Sequence, residues 1–132
     1  MTIDREKLAD AFAHLLKEEY AARDFGFNYP NIAMIIDQVQ DESSEVLDAV
    51  QNSEGPDRIQ EEVGDLIHAA IAVCCFQGYD ISETVKKTAL KFESRMNNLK
   101  KLSQEKGLDN FNGLEVSQML ELWKEAKKRS QQ

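Results

Sequence analysis

The chain has 132 residues, 42% hydrophobic and 30% charged, with a formal net charge of -8. That balance suits one soluble domain, residues 1–132, around a single core. The acidic excess argues against a nucleic-acid partner, because neutralising a phosphate backbone needs a Lys/Arg surplus; no signal peptide and no apolar run of roughly 18 residues is seen, so no membrane partner is expected.

In chain order, hydrophobic spacing predicts helix nearly throughout. A first helix runs from about Asp4 to Arg23, and "DFGFNYPN" breaks it at Gly26 and Pro30. Pro30 suits an early position of a second helix that reaches about Gln51. "NSEGPD" is a turn, and Pro56 opens a third helix in the same way. Gly78 fits a glycine cap at its end. Asp80 and Glu83 form a capping-box pattern before a fourth helix, which Gly107 closes. "LDNFNG" is a loop, and "LEVSQMLELWKEAKKR" is a fifth helix with cations at its C-terminal end. The expected fold is all-α, an antiparallel bundle of about five helices. The only cysteines, Cys74 and Cys75, are adjacent in "IAVCCF". Successive helical side chains diverge by about 100°, so the pair reads as small buried hydrophobes in a reducing cytoplasm.

Charges intrude on the apolar seams. In the second helix Ile35, Val39, Glu42, Val46 and Ala49 alternate by four and three residues, with Glu45 one turn beyond Glu42. In the third, Ile59, Val63, Leu66, Ala70 and Val73 mark an apolar side. Beside it Ile59, Glu62, Leu66, Ala69 and Val73 make a seam containing an acid, with Asp65 one turn on. In the fourth helix Arg95 interrupts Ile81, Val85, Thr88, Phe92, Leu99 and Leu102, and Lys91 lies one turn before it. In the fifth, Val116, Leu120, Trp123 and Lys127 repeat the spacing.

One such acid pair is most simply a solvated surface. Two pairs on consecutive antiparallel helices would gather four carboxylates in a small volume, where like charges repel. A divalent cation resolves that conflict, and all-oxygen ligands suit Mg²⁺, Mn²⁺ or Ca²⁺. Mg²⁺ commonly shares its shell with substrate phosphates. Lys91, Arg95 and Lys127 are the matching phosphate-holding cations, and Trp123 offers a stacking face, although a lone Trp more often packs in a core.

At these residues the sequence resembles the MazG family of nucleoside triphosphate pyrophosphohydrolases. The family pattern EExxE followed by ExxD reads here as "DESSE" (Asp41 to Glu45) and "EVGD" (Glu62 to Asp65). The likeness extends from "DFGFNYPN" through "KFESR" to "LELWKEAKK". It implies a MazG-like helical domain that uses Mg²⁺, with Mn²⁺ as a substitute, to hydrolyse an NTP or dNTP to the monophosphate and pyrophosphate. By position it implies Glu42, Glu45, Glu62 and Asp65 as metal ligands. Lys91, Arg95, Trp123 and Lys127 fall at nucleotide-contacting positions, and Arg58 is placed facing the phosphates. Glu45 or Asp41 is left to orient or deprotonate the attacking water. The resemblance also implies a homodimer or homotetramer. Asp41, His68, Ala72 and Tyr29 depart from common family residues and bear on substrate choice.

Two other classes fit less. Asp65 and His68 give one acid-x-x-His pair, but a di-iron carboxylate bundle needs two, and His14 has no matching pattern. A non-enzymatic helical adaptor leaves the seam acids and the "KFESR" cations without a purpose.

Overall fold

The computed structural model describes residues 1–131. Among them are five helices and no strand: α1 (Arg5–Asp24), α2 (Ile32–Gln51), α3 (Pro56–Phe76), α4 (Ile81–Glu105) and α5 (Val116–Ser130). The all-α class follows from the sequence as expected. The chain divides into two compact units, Met1–Ile81 and the residues from Ser82 onward.

In the first unit, α2 and α3 form a hairpin around the turn 52–55, so they run antiparallel. Asn31 caps α2, its side-chain oxygen accepting from Met34 N at 3.0 Å. Pro30 therefore lies outside the helix, not within its first turn, because the better capping residue follows it. Pro56 does open α3. Gly78, at φ +76°, closes α3: Gly78 N donates to Cys75 O and Tyr79 N to Cys74 O, both at 3.1 Å. The seam of α2 is the expected one, with Ile35 and Ala49 buried and Val39, Glu42 and Val46 half-buried. In α3 the structure selects the seam that carries the acid. Glu62 is buried and Ile59, Leu66, Ala69 and Val73 are half-buried, whereas Val63 and Ala70 are exposed. The end of α1 docks on the end of α3, where the Arg23 guanidinium donates to Ala72 O at 3.2 Å and lies over the Phe76 ring. Ile71, Cys74 and Cys75 are buried on α3, the cysteines as the packed small residues the sequence suggests.

The second unit packs α4 on α5 through Leu99, Leu102, Leu122 and Ala126. Gly107, at φ +72°, ends α4 with the same double cap, Leu108 N reaching Ser103 O at 2.8 Å. Arg129 then forks onto Glu105 at 3.0 and 3.1 Å and holds its carboxyl below the usual carboxylate range. Two expected seams are corrected. Of the expected α4 seam only Leu99 and Leu102 are buried, while Val85 and Phe92 are exposed. At 1.5 Å per residue α4 is about 37 Å long and α5 about 22 Å, so α5 cannot cover all of α4. On α5 the buried side is Leu122 and Ala126, not Val116, Leu120 and Lys127. Both series have helical spacing. Asn98 donating to Ser130 Oγ at 2.8 Å and the Arg129–Glu105 fork accompany the observed facing.

Candidate active site

The α2–α3 hairpin brings three of the expected acids together. Glu42, Glu62 and Asp65 each present a carboxylate oxygen, and the three atoms lie within 4.8 Å of one another. Glu62 is only 4% exposed because its seam position turns it toward α2, while Glu42 is half-buried and Asp65 open to solvent. Glu42 Oε2 and Glu62 Oε2 are buried with no hydrogen-bond partner. A buried unpaired carboxylate oxygen is costly in a native protein. Three converging carboxylates with two orphaned oxygens are the donor set a hard divalent cation takes, so these residues fit such an ion. No histidine or thiol belongs to the set, which disfavours zinc.

Glu45 lies outside this group of three but close enough to act on Glu62. Burial pushes the Glu62 carboxyl up from the ordinary value, the Arg58 guanidinium opposes that, and Glu45 and Asp65 add to the rise. A carboxyl raised in the folded state binds protons more readily there than in the unfolded chain. Stability therefore falls as pH rises through the window between the two values, and stays lower above it. Metal-free Glu62→Gln is accordingly expected to melt at a higher temperature than the wild type at neutral pH, with the gain vanishing once both states are protonated. Melting curves across pH check this; a lower melting temperature for the variant at neutral pH contradicts it.

Arg58 sits beside the acids, with Nη2 at 2.5 Å from Glu62 Oε1 and Nη1 at 3.2 Å from Glu61 Oε2. Asp41 is exposed on α2, one turn before Glu45. A pocket of about 160 Å³ adjoins Glu42 and Asp65, with Tyr29, Gln38 and His68 on its walls. His68 Nε2 contacts Glu19 Oε1 at 2.9 Å, and Glu19 also takes Arg23 Nε at 3.2 Å. His68 Nε2 is thus engaged by Glu19 of α1. Sequence reasoning missed Glu19 and Arg23. Their i,i+4 spacing on α1 was a visible signal, but the tie to His68 spans 49 residues and has none.

In the second unit Lys91 is exposed and Arg95 half-buried one turn later, its Nε buried without a partner. Trp123 is half-buried against the Leu99 cluster, its ring 5.9 Å from that of Phe92. Lys127, one turn along α5, is half-buried.

No helix among the described residues is long and apolar enough to cross a membrane. The MazG nucleotide pyrophosphohydrolase domain matches residues 31–100, which span α2, α3 and most of α4. A nucleoside triphosphate pyrophosphohydrolase of Escherichia coli (strain K12) is 27% identical over 105 residues, covering 79% of this chain and 40% of its own length. The protein of the same name from Escherichia coli O157:H7 gives the same figures. The chain thus covers 40% of the length of these curated relatives. With more than half of its residues inside the matched domain, the chain belongs to the MazG nucleotide pyrophosphohydrolase family.

Proposed function

We propose that the chain is a metal-dependent nucleoside triphosphate pyrophosphohydrolase, converting an NTP or dNTP to the monophosphate and pyrophosphate. The carrying observation is the convergence of Glu42, Glu62 and Asp65, with two buried orphaned oxygens, in a MazG-family chain. These three residues, with Glu45 beside them, would hold Mg²⁺ or, in its place, Mn²⁺. When bound, the ion supplies charge neutralisation at phosphate oxygens and a water of lowered pKa. Glu45, outside the three-acid group, accepts the proton of the attacking water, with Asp41 one turn away as the second carboxylate for that duty. Arg95 and Lys91 hold phosphate oxygens, Arg95 with a forked guanidinium and Lys91 as a point charge. They stabilise charge on the departing pyrophosphate. Trp123 and Lys127 complete nucleotide binding, and Arg58 serves the phosphates from α3. The small pocket at Glu42 and Asp65 supports this reading, because it leaves the acids reachable by a ligand.

The chain acts as one MazG-like domain in a homodimer or homotetramer. Apolar side chains left uncovered support assembly: Ile36, Leu47 and Val50 on α2, Val63 and Ile67 on α3, and Val85, Leu90 and Phe92 on α4. A cytoplasmic setting suits the two buried thiols.

A panel of NTPs and dNTPs, assayed with Mg²⁺ and again with excess chelator, tests the function. Turnover of at least one nucleotide with Mg²⁺, lost on chelation, is expected. No turnover of any nucleotide, with no binding of Mg²⁺, favours a helical adaptor instead.

A further inference from the structure

Arg58 occupies the first turn of α3, where the helix dipole favours acids and disfavours a cation. It is held there by two acids of different kinds. Its guanidinium bridges Glu61, whose side chain is 68% exposed, and Glu62, whose side chain is 5% exposed. Among the ion pairs of the described residues, only the one from Arg58 reaches Glu42, Glu62 or Asp65. One cation thus contacts a group of three carboxylates, and two buried oxygens still lack a partner. The arm itself is half exposed.

We propose that the Arg58 guanidinium stands in for part of the metal's charge and exchanges with it. A divalent cation binding at Glu62 takes over the carboxylate that Arg58 holds. Glu61 keeps the released guanidinium close by. The donors of that guanidinium not taken by Glu61 then become available to the anionic oxygens of a triphosphate. This inference rests on the metal-site reading above. It gives Arg58 two opposed effects: it weakens metal binding to the chain alone and strengthens nucleotide binding once metal is present. The two ligands are thereby coupled through one side chain.

The test is a titration of the metal-free full chain with Mn²⁺, followed by electron paramagnetic resonance of free Mn²⁺. Removing one positive charge a few ångströms from a divalent ion should tighten Mn²⁺ binding by about five- to thirtyfold in Arg58→Gln, taking a water-like dielectric. Arg58→Lys keeps the charge and should stay near the wild-type affinity. At saturating Mg²⁺, Arg58→Gln should show a raised KM for nucleotide. Equal or weaker Mn²⁺ binding by Arg58→Gln than by a wild type that binds Mn²⁺, or an unchanged KM, overturns the exchange and leaves the metal site standing. Failure of the wild type and both variants to bind Mn²⁺ overturns the metal site itself, and the exchange with it.

Discussion

Replacing Asp65 by alanine is expected to lower turnover by at least about a hundredfold while the helical circular-dichroism signal persists, since a bound metal contributes several kcal/mol to such reactions. Asp65 is the exposed member of the three-acid group, so its replacement opens no cavity in the hairpin. Glu62→Ala should lose activity to the same extent. Asp48 lies exposed on α2 outside the group, and Asp48→Ala serves as the control with activity unchanged. Steady-state kinetics with Mg²⁺ checks all three. Full activity in both Asp65→Ala and Glu62→Ala would sink the site assignment.

Arg95→Ala is expected to reduce kcat/KM by about 10- to 150-fold, the worth of a charge-assisted hydrogen bond of roughly 1.5–3 kcal/mol. The reason lies in its surroundings. Arg95 interrupts the apolar side of α4 at a half-buried position, and its buried Nε has no partner. An anionic ligand would satisfy that donor. Mn²⁺ binding to the nucleotide-free variant should match the wild type, because Arg95 is assigned to phosphate and not to metal. Arg95→Lys should recover little, since a point charge does not reproduce a planar fork. Loss of Mn²⁺ binding as severe as in Asp65→Ala, with nucleotide affinity retained, would reassign Arg95.

The sequence revealed most where a residue broke a pattern. Glu42 and Glu62 interrupt apolar series of regular spacing, and in the structure both turn inward on facing helices. Gly78 and Gly107 mark helix ends because their positive φ suits residues without a side chain. The facing of α5 was not legible. Val116, Leu120, Trp123 and Lys127 have the same spacing as Leu122 and Ala126 with their neighbours, and periodicity cannot rank two adjacent stripes. Side-chain bonds from Asn98 to Ser130 and from Arg129 to Glu105 accompany the observed choice, and they join residues 32 and 24 positions apart. Arg58 shows a different limit. Its spacing to Glu62 was plain in the sequence, but its division between a surface acid and a buried one depends on burial that the helix pairing creates. The same holds for His68, whose partner Glu19 comes from another helix.

The most direct test of the central claim is the identity and ratio of the products. Phosphorus NMR of a nucleoside triphosphate incubated with the chain and Mg²⁺ should show monophosphate and pyrophosphate appearing in equal amounts, and neither in the Glu62→Ala variant. Release of orthophosphate with a nucleoside diphosphate, or equal product from wild type and Glu62→Ala, would contradict the account.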